Sequence, residues 1–180
     1  MRRSFLVGSV ACLAAFAAFA SPREARAGFF LGAELDAASA FDQPGASIGY
    51  GFVGTLGYRI GLGPIFVQPE AQGSHMVFPV TDGVLDVPTS TRILGGARLG
   101  LGRMVQPQIF GHAGVGWVGE GINGRAFDGG FALGFKLIPL LRFGAQIAYN
   151  VVTIQNDPRA LGESTSMKWL SYGAHAGIEF

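Results

Sequence analysis

Large apolar and small or polar residues alternate with a period of two along most of this chain. In the stretch 50–60, Tyr50, Phe52, Leu56, Tyr58 and Ile60 interleave with Gly51, Val53, Thr55, Gly57 and Arg59. The end of the chain repeats the pattern, with Leu170, Tyr172, Ala174, Ala176, Ile178 and Phe180 against Ser171, Gly173, His175, Gly177 and Glu179. So do Phe143, Ala145, Ile147, Tyr149 and Val151 against Arg142, Gly144, Gln146, Ala148 and Asn150, and Phe131, Leu133, Phe135 and Leu137 against Gly130, Ala132, Gly134 and Lys136. Alternation of this kind predicts β-strands with one greasy face.

Weaker versions begin near Phe29, Ile65, Ile93 and Ile109, which brings the expected count to eight strands. Connections are short at 61–64, 102–107 and 138–140, longer at 78–91 and 155–166, and intermediate at 38–47 and 119–126. Short turns on one rim and longer loops on the other predict an antiparallel up-and-down barrel with both termini on the short-turn side. No sustained helical period competes with this reading. Gly49, Gly51 and Gly54 form a G-x-G-x-x-G string, but alternation runs through it where a dinucleotide site needs a strand followed by a helix.

Alternation alone does not say which face meets water. Only 14% of residues are charged, against roughly 25% in soluble domains. The small-residue face is mostly glycine, alanine and glutamine with one or two charges per strand. It would make a poor aqueous surface but a good filling for an eight-stranded lumen, which is just wide enough for side chains. The greasy face therefore points into lipid. Aromatic residues gather at two levels, with Phe29, Tyr58, Phe135, Phe143 and Phe180 toward the short-turn rim and Tyr50, Trp117, Tyr149 and Tyr172 toward the long-loop rim. Tyr50, Tyr58, Trp117, Phe143, Tyr149 and Tyr172 are the expected membrane-interface aromatics.

The first residues have a different logic. Arg2 and Arg3 precede an apolar run over 5–20, followed by Ala25-Arg26-Ala27. This order predicts a secretory signal peptide over 1–27, cleaved after Ala27 or alternatively after Ala20, with the barrel occupying 28–180. The run falls short of the roughly 20 residues of a membrane helix. Cys12, the sole cysteine, lies within it, leaving the expected mature chain without a thiol. Residues 1–27 hold four arginines and one glutamate, so 28–180 retains nine cations and eleven anions, a net charge of −2. Without a basic run, nucleic acid is not an expected partner.

The signal segment, eight alternating segments and terminal strand over 172–180 together resemble the small eight-stranded outer-membrane barrels of the OmpA/OmpX type. The resemblance covers the whole expected mature chain as a pattern rather than through a local motif. It implies residence in the bacterial outer membrane with periplasmic termini, contact with outer-membrane lipids, and handling by the outer-membrane assembly machinery, for which Phe180 would be the signal. Nothing follows Phe180, so the C-terminal peptidoglycan-binding domain of some relatives is not expected.

The expected inward charges are Glu34, Asp36, Arg59, Glu70, Arg98, His112, Lys136, Arg142, His175 and Glu179. Charges in a narrow lumen are costly unless paired. The strand pattern pairs Glu70 with Arg98, sets Glu179 near Arg142, and lets Glu34 reach His175 across the closing seam. Ser74 and His75 are adjacent and so face opposite sides of a strand, which argues against a hydrolytic pair. His75, His112 and His175 lack metal-ligand spacing. Asp82, Asp86, Asp157 and Glu163 read as loop solvation residues. Neither a catalytic centre nor a cofactor is expected. The leading expectation is a monomeric structural or surface-exposed barrel with a mostly plugged lumen. A small-solute or ion channel is the alternative, and a lipid-modifying barrel enzyme the lower one.

Overall fold

The computed structural model describes residues 26–41, 48–79, 89–119, 122–154 and 164–180. Eight strands follow one another: β1 Arg26–Ala40, β2 Gly49–Leu62, β3 Ile65–Val77, β4 Thr89–Leu101, β5 Val105–Val118, β6 Ile122–Lys136, β7 Leu141–Ile154 and β8 Thr165–Glu179. Each pairs antiparallel with its neighbours in sequence, and β1 pairs with β8, so the sheet closes into a barrel. The expected signal segment lies almost wholly outside the described residues.

At 13 to 15 residues the strands exceed the roughly 9–11 that a tilted strand needs to cross a bilayer. They extend beyond the apolar belt at both rims. The tightest connection is Gly63-Pro64, where Gly63 takes φ +69°, a left-handed conformation that glycine reaches without a Cβ penalty. The amide of Gly102, also left-handed at φ +91°, donates to the carbonyl of Pro64 at 2.7 Å, tying this turn to the next one on the same rim.

Burial follows the alternation. Leu35 is 74% exposed, Phe52 58% and Phe131 67%, whereas Glu34 and Arg59 are 7% exposed and Glu70 6%. The protein is apolar outside and polar in much of its interior, the inverse of a soluble barrel and the arrangement of a barrel solvated by lipid. Among the described residues no helix is long and apolar enough to cross a membrane.

Two expectations change. β6 starts at Ile122, so the connection expected over 119–126 shrinks; the glycines of 122–130 weaken the alternation without ending the strand. The inner face is also not uniformly small or polar: Phe30, Phe66, Phe110 and Trp169 all turn inward. Glycines on the same and neighbouring strands make the room, with the ring of Phe66 lying over Gly100 and that of Phe30 over Gly32 and Gly177.

Candidate functional site

Inward side chains form three tiers in the lumen. Nearest the short-turn rim, both terminal nitrogens of Arg59 donate to Gln106 Oε1 at 3.2 Å. The Arg59 guanidinium carbon sits 3.1 Å from the centre of the Phe66 ring, a cation–π contact in a desolvated setting. Arg142 forms an ion pair with Glu179, and Lys136 Nζ lies 3.4 Å from Glu179 Oε2.

The middle tier is a continuous polar network. Arg98 Nε donates to Glu70 Oε1 and Oε2 at 3.1 and 3.3 Å, while its terminal nitrogens donate to Gln108 Oε1 at 3.1 Å and Gln146 Oε1 at 3.4 Å. Gln68 also donates to Glu70, at 2.6 Å. His112 stands between two carboxylates, with Nε2 at 2.8 Å from Glu70 Oε1 and Nδ1 at 2.5 Å from Asp128 Oδ1. An imidazole satisfies an acceptor at each nitrogen only by donating from both. Gln72 adds a donor to Asp128 at 2.6 Å. Arg92 then carries the network toward the long-loop rim, donating to Ser74 Oγ at 3.0 Å and Asn150 Oδ1 at 2.7 Å, with Asp128 at 3.8 Å.

Above Arg92 the interior turns apolar. Ala38, Met76, Phe78, Leu94, Ala126, Val152, Met167 and Trp169 form one buried cluster. Phe78 lies one residue beyond β3, yet it is fully buried and meets Trp169 edge-to-face, with ring centroids 5.6 Å apart. The strands thus end on the long-loop side in an apolar cap. Below it, a cavity bounded by Glu34, Thr55, Gln68, Arg98, Arg142 and His175 has about 20 Å³, space for roughly one water molecule.

Glu70 and Arg98 meet as partners, as do Arg142 and Glu179. Glu34 and His175 are opposite each other in the register of β1 and β8, but no hydrogen bond joins them: Glu34 Oε1 and His175 Nδ1 each lack a partner among the described residues. The reason is Gly173. With no side chain there, the carboxylates of Glu34 and Asp36 both fold over it instead of reaching His175.

Most of the aromatics expected at the interface sit on the outward face. Phe29 and Tyr58 stack edge-to-face at 5.2 Å near the short-turn rim, where Phe143 also lies, and Tyr50, Tyr149 and Tyr172 are exposed toward the other. Trp117 is half-buried. Phe180 is 71% exposed, its amide donating to the carbonyl of Phe29 at 2.9 Å across the seam. Ser74 points inward to Arg92, whereas His75 points outward and bonds Thr91 at 2.8 Å; the two share no proton path. Among the described residues no three His, Cys, Asp or Glu side chains are grouped as metal ligands. Asp82, Asp86, Asp157 and Glu163 lie outside the described residues.

The alternation sets Arg92 on the inward face of its strand but leaves it out of the expected charge network, and sequence reasoning missed Asp128, Phe78 and Trp169 as structural members of the lumen. Counting by two back from Phe131 places Asp128 inward, and counting back from Leu170 does the same for Trp169.

No family model matches the chain, and no curated protein matches it in sequence. In three dimensions it is similar to Neisserial surface protein A, NspA, at 11% identity and a TM-score of 0.60 over 86% of this chain and 99% of that one. It is also similar to Ail, the attachment invasion locus protein of Yersinia pestis, at 15% identity and a TM-score of 0.52 over 88% of this chain and 100% of that one. A second Ail structure, in complex with the heparin analogue sucrose octasulfate, aligns with a TM-score of 0.50. The chain has the fold of these small eight-stranded outer-membrane barrels.

Proposed function

We propose that this chain is a surface-exposed protein of the bacterial outer membrane whose barrel is a closed anchor and whose long loops face outward. In this reading residues 1–27 direct export and are removed, both ends of the mature barrel are periplasmic, Phe180 serves assembly, and the barrel acts as a monomer without catalysis. The observation that carries the closed lumen is the stacking of an apolar cap, Phe78 and Trp169 at its centre, on a hydrogen-bonded network that encloses a cavity of about 20 Å³ among the described residues. Ions crossing such a barrel would have to displace paired charges and then wet a mostly apolar cap.

The names of the similar proteins, surface protein and attachment invasion locus protein, support a role in contacts at the cell surface. The partner chemistry differs from that of the Ail complex with a polysulfated sugar. The stretches between strands on the long-loop side hold Asp42, Asp82, Asp86, Glu120, Asp157 and Glu163 against Arg159 alone, so a cationic or neutral partner suits them better than a polyanion.

Planar-bilayer recording tests the closed lumen. The expected outcome is no open level above background; a reproducible level altered by Arg98→Ala would support the channel instead. For the enzymatic alternative, mass spectrometry of lipid A from overexpressing cells is expected to show unchanged acylation.

A further inference from the structure

Beyond the apolar belt between the two aromatic levels, the rims differ. Toward the long loops the outward positions turn polar, with His75 and Thr91 joined by a hydrogen bond, Arg125 on β6 and Thr153 on β7. Toward the short turns they stay apolar to the end of the sheet. Met104 and Leu137 are each 69% exposed, and Leu62, Leu101, Ile138 and Phe180 are exposed as well. Turns that face water are ordinarily built from glycine, proline, asparagine, aspartate and serine. Here the β6–β7 connection reads Leu-Ile-Pro-Leu, and among the turn residues 63–64, 102–104 and 137–140 Arg103 alone is charged.

The height of the band shows where its edge falls on the short-turn side. Arg125 and Thr153 pair in the sheet and close the band toward the long loops; the next outward pair below them is Phe127 with Val151. From Phe127 on β6 to Leu137 just past its end, and from Val151 to Leu141 along β7, there are ten residue steps. At about 3.4 Å per step and a tilt of about 40°, ten steps rise about 26 Å, against about 25 Å for the apolar band of an outer-membrane barrel. The six steps from Tyr149 to Phe143 rise only about 16 Å. The band therefore reaches its full height only when the turns are part of it. The backbone agrees: the amide of Lys136 donates to the carbonyl of Met104 at 2.8 Å, that of Glu179 to Leu140 at 2.9 Å and that of Leu141 to Ile138 at 3.2 Å. These bonds satisfy turn groups within the rim, as hydrocarbon requires, and Pro64 and Pro139 bring no amide to it.

We propose that the short-turn rim is immersed in the membrane, its turns held in the acyl region of the adjoining leaflet and Arg103 extending from them to the headgroup phosphates. A long cationic side chain keeps its stem in apolar surroundings while its charge meets the headgroups. A lipid leaflet is the occupant because the apolar surface runs from the band onto the turns without a charged side chain between, at the β2–β3, β4–β5 and β6–β7 connections alike. A protein-docking patch is bounded by a polar rim, and none interrupts this surface among the described outward residues. The level of Phe29, Tyr58 and Phe143 then lies within the leaflet rather than at its edge, and contacts with soluble partners are left to the long-loop side. This depth holds whichever compartment the short turns face, so it stands apart from the surface role proposed above.

The test places a single fluorophore on the rim. The chain is expressed with Cys12→Ser, which removes its sole cysteine, and with Ile138→Cys, then purified from outer membranes, labelled with a nitrobenzoxadiazole group and folded in dioleoyl phosphatidylcholine vesicles. A nitroxide on the acyl chain is expected to quench the label at least threefold more strongly than a nitroxide on the headgroup. Met104→Cys, on a different turn, should give the same order, and it serves if Ile138→Cys does not show heat-modifiable migration. Thr153→Cys, at the polar edge of the band, should give the reverse order. Stronger quenching of the rim labels by aqueous iodide than by the acyl-chain nitroxide would overturn the proposal, because the turns would then stand in water. So would rim labels that escape both quenchers and transfer energy between copies, which signifies a second molecule covering the rim.

Discussion

The guanidinium carbon of Arg92 lies 4.8 Å from the centre of the Trp169 ring, and this contact joins the two halves of the lumen. Below it most of the charged side chains are joined by hydrogen bonds and ion pairs; above it packing takes over. Arg92 belongs to both, bonding Ser74 and Asn150 on one side and offering its face to the indole on the other.

Trp169→Ala is therefore expected to lower stability by about 3–5 kcal/mol, the usual cost of emptying a large aromatic site. Trp169→Phe should lose much less, because the edge-to-face partner of Phe78 survives. Urea unfolding of the folded barrel in phosphatidylcholine vesicles measures both, and equal losses would contradict this account of the cap.

Glu70 receives Arg98, His112 and Gln68 together. Arg98→Ala leaves a buried carboxylate with one fewer counter-charge, at a cost of about 3–5 kcal/mol. Arg98→Met with Glu70→Gln removes both charges and should be less destabilising than the sum of the single changes, by about 0.5–3 kcal/mol. A double-mutant cycle by urea titration gives the coupling; strict additivity would mean that the pair is not coupled.

His112→Phe keeps a ring of similar bulk but removes both bridging donors. Glu70 and Asp128 would then share an interior with less compensation, and the expected loss is again about 3–5 kcal/mol. Adding Asp128→Asn to His112→Phe should recover part of that loss in the same assay.

Two glycines separate the faces. A Cβ on Gly173 would fall where the carboxylate oxygens of Glu34 and Asp36 lie, whereas one on Gly73, on the outward face, meets nothing within 4 Å. Gly173→Ala should destabilise by about 1 kcal/mol, the low end of overpacking, because the atoms it meets are the ends of side chains that can turn aside. Gly73→Ala should be neutral or stabilise by about 0.4–1 kcal/mol, since it reduces only the freedom of the unfolded chain. The temperature at which heat-modifiable migration is lost ranks the two.

Strand number and facing were legible because a lipid-solvated barrel writes both into a period of two: Phe52 and Leu56 outward, Thr55 and Arg59 inward, with no helix to interrupt. Nearest-neighbour pairs were legible for the same reason, since Glu70 and Arg98 sit on adjacent strands. Two other kinds of partner were not. His112 reaches Asp128 only when β6 is extended through glycines that dilute its alternation, and Arg59 finds Gln106 across the interior. The inward aromatics were obscured because residue type and facing disagree at Phe30, Phe66 and Trp169. Only the glycines on the same and neighbouring strands reveal the space that such rings occupy.

The β1–β8 seam has a consequence for synthesis. Phe30 pairs with Glu179, and Phe29 accepts from the amide of Phe180, so the first strand waits for the last residues of the chain before its outer edge is paired. Until then the sheet is an open ribbon with two unsatisfied edges, each able to capture a strand from another molecule. A chain that stopped before β8 would lose more than one strand's contacts: it would lose the circle, and with it the protection of the edges of β1 and β7.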